Sequence, residues 1–265
     1  MPGRHETFRM CTLIALHRCI PGAPLVIAAN RDEFFERPAE GPVIWETAEG
    51  RVVAPRDVRA GGTWLGVNAY GVVAAVTNRR CPAPDPSRRS RGLLVMDALR
   101  AGSASDAAEV LEELPIDAYN PFNLLVADED TAHAFSYEGK VQRIDLEPGV
   151  HVIGNVHPLE RPAKLERIRA AALRAGAGSP SQVLDSLAEI CREHDGEGAL
   201  DSACVHAGPY GTRSSILMRV GGDSSGELRF ADGAPCQHSY RDFTALLGEL
   251  DSVRAGEQTN VRKIR

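Results

Sequence analysis

Long apolar runs are missing from this chain. None approaches the ~20 residues that a membrane-crossing helix needs, so no membrane span is expected. The first ten residues, MPGRHETFRM, contain no apolar leader segment, and a cytoplasmic location is expected. No C-x-x-C occurs, and the one short spacing, Cys204-Val205-His206, is an isolated C-x-H. That argues against a structural zinc site, so neither metal nor resident cofactor is expected. The six cysteines (Cys11, Cys19, Cys81, Cys191, Cys204, Cys236) are scattered through a chain too long to need stapling, and are expected as reduced thiols. Excess positive charge is missing too. A net charge of -6 and a pI near 5.8 disfavour nucleic acid as a partner. Internal repeats and low-complexity linkers are also absent. A single domain is expected over 11–251, with an N-terminal extension at 1–10 and a polar tail at 252–265. Nothing in the sequence assigns an oligomeric state.

What is present is enough apolar sequence, 43%, to bury a full core. CTLIAL and PLVIAAN read as strands joined by a Pro/Gly turn, and RVVAP, TWLGVN and VVAAVTN read as three more. LVIAA and VVAAV are continuous apolar runs, as expected of strands covered on both faces. Two helices follow, GLLVMDALRAG and ASDAAEVLEEL, the second with Ser103 as N-cap. FNLLVADE, TAHAFSYEG and HVIGN return to strand. RPAKLERIRAAALRAG and SPSQVLDSLAEICREH are amphipathic helices, the second with Ser179 as N-cap and Pro180 at its first position. TRSSILMRV and ELRFAD close the chain as strands. Strands cluster rather than alternate with helices. This favours two antiparallel sheets with helices packed outside over a doubly wound parallel sheet.

Four segments hold candidate chemistry. In RMCTLIALH, Cys11 directly follows an internal methionine and opens an apolar strand. It is either a buried small core residue or a nucleophile. A thiol attacks only as thiolate and needs a base. A nucleophile at the N-terminus can use its own α-amino group, whose pKa of ~7.7–8.0 suits neutral pH. Initiation at Met10 with removal of the methionine would expose that amine. In AANRDEFFERP, an apolar strand runs into Asn30-Arg31-Asp32-Glu33. These residues read either as an Asx-type turn with a surface ion pair, or as a set in which Asp32 holds a terminal ammonium and Arg31 lowers a thiol pKa. In RAGGTWLGVNAYGVVAAVTNRR, Trp64 is core or pocket wall. Asn78, at a strand end, is a turn cap or an oxyanion donor, as is Asn155 in HVIGNVHP. In PYGTRSSILMRV, Arg213 is a solvated edge residue or an anion partner. The loop after Asn78 crowds Arg79, Arg80, Arg88, Arg89 and Arg91. They form a solvated charge run or an anion collar at the mouth of a site.

Taken together, MCTLI at Met10, AANRDEFFERP, AGGTWLGVN, AAVTNRR, YNPFNLLVAD, GN-x-x-P and YGTRSS resemble, in order, the NRDE family, which includes the transport and Golgi organisation protein 2 homologues. The resemblance spans about Met10 to Val220. It implies an α+β fold, a four-layer αββα sandwich of the N-terminal nucleophile hydrolase type, similar to cysteine amidohydrolases such as penicillin V acylase and choloylglycine hydrolase. By that similarity Cys11 would be nucleophile and base, and Arg31 and Asp32 would set its charge state. Asn78 and Asn155 would form the oxyanion site, and Arg213 would be a further polar partner. Asn30, Glu33, Trp64, Arg79 and Arg80 are expected to meet a small-molecule ligand of anionic character. In those amidohydrolases Arg and Asp stand two residues apart, whereas here they are adjacent. The expected reaction is hydrolysis of a linear non-peptide amide. The alternative is a non-catalytic protein that binds and carries haem or an acyl lipid or acyl-CoA, with Cys11, or else His17 and His206, as axial haem ligands by residue type.

Overall fold

A computed structural model describes residues 11–81, 83–222 and 226–250. The N-terminal extension and the polar tail expected at 252–265 lie outside them. The chain opens with the expected hairpin, β1 (Thr12–Ile20) and β2 (Ala23–Phe34). Its turn depends on Gly22, whose φ of 73° lies in the left-handed region that glycine enters without a Cβ penalty. β3 (Ala39–Thr47), β4 (Gly50–Asp57), β5 (Leu65–Asn68) and β6 (Val73–Asn78) follow as a meander. Then come α1 (Arg91–Ala98), α2 (Ala104–Glu112), β7 (Phe122–Ala127), β8 (Ala132–Tyr137), β9 (Val141–Asp145) and β10 (Gly149–Ile153). α3 (Ala163–Gly176) and α4 (Pro180–Arg192) precede β11 (His206–Ala207), β12 (Tyr210–Val220), β13 (Glu227–Ala231) and β14 (Arg241–Asp242).

The strands form two antiparallel sheets. One runs β10-β1-β2-β12-β13-β14 with β11 attached to β12, and the other runs β3 through β9 in sequence order. Period-two alternation sorts each central strand between two cores. Leu13, Ile27 and Met218 meet Val53 and Leu125 between the sheets. Ile14, Val26 and Leu217 face outward onto Ile168 of α3 and Leu187 of α4. On the other side, Val52, Leu124 and Phe135 pack under Leu94 of α1 and Leu111 of α2. The layers are therefore helix, sheet, sheet, helix, as expected. The apolar runs LVIAA and VVAAV occupy strands covered on both faces.

Four strands escape the sequence reading: the two-residue β11 and β14, and the longer β3 and β9, which are the two edges of their sheet. β3 contains Gly41-Pro42, and its register shifts there. An edge strand tolerates a proline and an irregularity that a central strand would not. β9 is short and largely solvent-facing. Ser103 caps α2 by accepting from the Asp106 amide at 3.0 Å. Ser179 holds the N-cap position of α4, but its hydroxyl donates to Gln182 Oε1 instead of closing a backbone cap. Among the described residues no helix is long and apolar enough to cross a membrane.

Candidate functional site

The site begins where β1 stops and β2 does not. The last β1–β2 pair is Thr12 with Asn30, whereas β12 stays paired with β2 out to Phe34. Arg31–Phe34 thus keep a strand partner on one side only, and Cys11 sits at the open corner beside Arg31. The NRDE segment is strand, not an Asx-type turn. Alternation then splits it. Arg31 shares the inter-sheet face with Ala29, and Cys11 shares it with Leu13. Asn30 and Asp32 share the helix-side face with Ala28.

On the inter-sheet side the Arg31 guanidinium stacks over Trp64, 4.4 Å from the ring centroid. Asp57, from the second sheet, faces it at 3.7 Å. Asp57 Oδ2 also takes two contacts from Arg37, Nε at 2.9 Å and Nη2 at 2.7 Å, and Arg37 reaches Glu33 at 3.6 Å. Arg31 is only 6% exposed, and its Nη1 has no hydrogen-bond partner. Burial pulls its pKa down, opposed by Glu33 and Asp57; a guanidinium remains charged regardless. Trp64 is placed by the Gly61-Gly62 turn, which lies against the start of α1. A Cβ on Gly62 would come 2.3 Å from the Gly92 carbonyl carbon, so no other residue fits there. Thr63 N donates to Gly92 O at 3.1 Å across this contact.

On the helix side Asp32 is 1% exposed. Thr212 Oγ1 donates to its Oδ1 at 2.6 Å, while Oδ2 has no partner. Burial pushes its pKa up to about 7, against the opposing pull of Lys164, Thr212 and Arg31. Lys164 is itself buried in α3, and burial lowers its pKa. The Cys11 thiol approaches the Asp32 carbonyl oxygen at 3.8 Å, and the Tyr210 hydroxyl donates to that same oxygen at 3.2 Å. With residues preceding it, the Cys11 thiol is pushed up to about 11, by burial first and then by the Asp32 charge. Asp57, Arg37, Lys164 and Thr212 were not legible as site residues. Asp57, Lys164 and Thr212 lie far along the chain in ordinary strand or helix patterns, whereas Arg37 stands inside AANRDEFFERP itself.

Cys11 opens onto a cleft of about 450 Å³ that also meets Arg31, Glu33, Trp64 and Asn78. Arg31, Arg37, Arg59, Arg88, Arg89 and Arg91 line it, against Asp32, Glu33, Asp57 and Asp85. The cleft therefore holds a positive excess in an acidic protein. A larger groove of about 730 Å³ lies between α4 and β13–β14. Its walls are tied by Arg229–Asp185 and Arg229–Glu227 ion pairs, and no cysteine lines it.

Several expected site residues lie elsewhere or do other work. Asn30 donates both amide hydrogens to backbone carbonyls, Cys191 O at 2.9 Å and Ala203 O at 2.8 Å, so it braces β2 against α4. The Asn155 amide donates to the Asn78 carbonyl, which fixes the end of β6 and positions Asn78 at the cleft wall. Arg79 turns to β8, meeting Ser136 at 2.9 Å and Glu138 at 3.1 Å. Arg80 is exposed and lies outside the cleft lining. The arginines that reach the cleft from that loop are instead Arg88, Arg89 and Arg91. Arg213 is the extra residue at a β12 irregularity and pairs with Asp232 at 2.7 Å, the solvated-edge arrangement. His17 is buried in β1, six residues and about 20 Å at strand rise from Cys11. His206 lies beside Cys204 and Cys236, and the isolated C-x-H is not isolated in space. His194 and Cys236 join it, with all four ligand atoms within 4.8 Å of one another.

The comparisons agree with this architecture. Over 78% of its length the chain is 28% identical to the mouse Transport and Golgi organization 2 homolog and 29% identical to the human Transport and Golgi organization protein 2 homolog, covering 85% of each. Among solved structures it is similar to the Caenorhabditis elegans ortholog of N-acylethanolamine-hydrolyzing acid amidase, with a TM-score of 0.52 and 13% identity over 78% of this chain and 92% of that one. It is also similar to a variant of conjugated bile acid hydrolase from Clostridium perfringens, with a TM-score of 0.51 and 12% identity over 91% and 94%. Identities this low speak to the fold, which is that of the N-terminal nucleophile hydrolases. Residues 10–233 match the Transport and Golgi organisation 2 family, and the chain belongs to it.

Proposed function

We propose that the protein, once Cys11 is its first residue, is a cysteine amidohydrolase acting on a linear amide with an anionic group. The observation that carries this reading is the Cys11 corner. There a thiol faces an arginine-lined cleft, beside a buried carboxylate whose second oxygen has no partner. A free α-ammonium at Cys11 would add to Lys164 and Arg31 as counter-charge for Asp32. In its neutral form the same amine takes the thiol proton. The sulfur attacks the amide carbonyl and forms an S–C bond. Arg31 and the Asn78 amide supply donors for the oxygen that becomes negative. The α-ammonium returns its proton to the departing nitrogen as the C–N bond breaks, leaving a thioester. Water, deprotonated by the amine, then releases the acid and the thiol.

With a peptide bond before Cys11 this route is closed. The amine is gone, and a thiol near pKa 11 is thiolate in only about one molecule in ten thousand at neutral pH. The test compares the full chain, a chain starting at Cys11, and that chain with Cys11→Ala, each against a panel of N-acyl amides. Alkylation of the thiol is mapped to the Cys11 peptide as a function of pH. The proposal expects turnover and neutral-pH alkylation only when a free Cys11 begins the chain. Equal Cys11 alkylation profiles in the two cysteine-bearing chains, with no amide consumed by either, would overturn it.

A further inference from the structure

Away from the Cys11 cleft, four side chains with nitrogen and sulfur donors converge, and no role above uses them. His194 follows α4, Cys204 and His206 flank the start of β11, and Cys236 lies in the turn after β13. Cys204 Sγ is 3.5 Å from Cys236 Sγ and 3.7 Å from His206 Nε2, and His206 Nε2 is 3.2 Å from Cys236 Sγ. The His194 and His206 rings are 5.2 Å apart. With Zn–S of ~2.3 Å and Zn–N of ~2.0–2.1 Å, the edges of a tetrahedral site are roughly 3.8 Å for S–S, 3.5 Å for S–N and 3.3 Å for N–N. The three measured separations match these edges to within a few tenths of an ångström. The sulfurs are too far apart for a disulfide, whose bond is about 2.05 Å.

We infer that His194, Cys204, His206 and Cys236 form a mononuclear Cys2His2 zinc site that clamps the 193–206 loop to the end of β13. Two thiolates and two imidazoles fill a tetrahedron and leave no open position, so the site is structural rather than catalytic. Thiolate softness with imidazole suits zinc, and the donor set holds no carboxylate for magnesium or calcium. Binding displaces both thiol protons to solvent, and no electron moves. The ligands are already held by the protein. Cys204 N donates to Glu193 O at 3.0 Å, β11 pairs with β12 at His206, and Arg192 Nε fastens Pro235 O at 3.1 Å.

The clamp has a consequence for the NRDE strand. Ala203 O accepts from Asn30 Nδ2, and Val205 N donates to Thr212 Oγ1 at 2.8 Å, the hydroxyl that holds Asp32. The 193–206 loop, which carries three of the four zinc ligands, therefore also braces two residues of that strand.

The test uses the full chain purified under reducing conditions without a polyhistidine tag. Metal is measured by mass spectrometry, and the zinc is exchanged for cobalt(II). The expected result is about one zinc per chain, and tetrahedral thiolate–cobalt absorption after exchange. Cys204→Ser with Cys236→Ser should lose the metal. Should that pair misfold, His194→Ala, at an exposed ligand, should keep the fold and bind zinc more weakly in chelator competition. Chelation should speed hydrogen exchange at the Val205 amide. Zinc-free protein with free thiols, a Cys204–Cys236 disulfide, or stoichiometric iron or copper would each overturn the assignment.

Discussion

Asp32→Asn should stabilise the full chain above pH 7 and have no such effect below about pH 4. In the folded chain burial moves the Asp32 pKa from 3.8 to about 7, so between those values the folded state keeps a proton that the unfolded chain has lost. Stability must then fall as pH rises through that window and level off above it. Three pKa units at 1.36 kcal/mol each set an upper limit on the order of 4 kcal/mol. Asparagine still accepts from Thr212 and carries no charge, so the substitution removes the penalty and keeps the hydrogen bond. The assay is urea unfolding of both proteins across the window, read as the difference between them. Lys164, whose lowered pKa acts in the opposite sense, is supported by the Asp32 charge, so the difference also carries that coupling. In a chain beginning at Cys11 the new ammonium should pull Asp32 back down. The dependence should flatten there, and Asp32→Asn should turn destabilising. A difference that stays flat with pH in the full chain would refute the account of Asp32 as a buried carboxylate awaiting a cation.

Other perturbations separate bracing from binding. Asn30→Ala leaves two carbonyls unpaired in a buried seam and should cost about 2–4 kcal/mol; an unchanged urea midpoint would contradict this. Gly62→Ala forces backbone apart at the α1 contact, should cost at least ~2 kcal/mol, and should shift tryptophan emission as Trp64 leaves Arg31. Unaltered emission would count against the stacked pair. Affinity for an anionic amide, read by calorimetry, should fall with added salt and with Arg88→Ala plus Arg89→Ala, whereas Arg79→Ala plus Arg80→Ala should leave it in place. The reverse ranking would put the anion on the other side of the loop.

Much of the architecture was legible in the sequence because strand and helix patterns are local. VVAAVTN and LVIAA announce central strands by being apolar throughout. Val183, Leu187, Ile190 and Cys191 announce a buried helix face, and they do line the outer core beneath α4. β3 and β9 were missed because an edge strand shows neither pattern. The site was legible in part for the same reason. Cys11, Arg31, Asp32 and Trp64 stand in short quotable segments, but their partners Asp57, Lys164 and Thr212 come from three other elements. The register of β2 against β12 brings in Thr212, the packing of α3 brings in Lys164, and the stacking of the second sheet brings in Asp57. The Cys2His2 cluster is the extreme case. Its ligands span His194 to Cys236, and no spacing rule for a compact zinc motif covers a set assembled from the 193–206 loop and the turn after β13.

The split within Asn30-Arg31-Asp32-Glu33 follows from one fact that the sequence alone left open, whether the tetrad is turn or strand. As a turn, four polar residues cluster and share a role. As strand, parity assigns them alternately, and the burial pattern supports the strand, with all four residues under 9% exposed. Arg31 and Glu33 go to the cleft, where the proposed anionic ligand would meet them. Asn30 and Asp32 go to the helix side, where the 193–206 loop holds them through Ala203 and, by way of Val205, through Thr212. A substitution at Arg31 or Glu33 should therefore act on ligand affinity, whereas one at Asn30 or Asp32 should act on stability and its pH dependence. The adjacency of Arg31 and Asp32 then has a physical meaning. Neighbours on a strand cannot face the same way, so the Arg31 guanidinium and the Asp32 carboxylate leave opposite faces of one backbone.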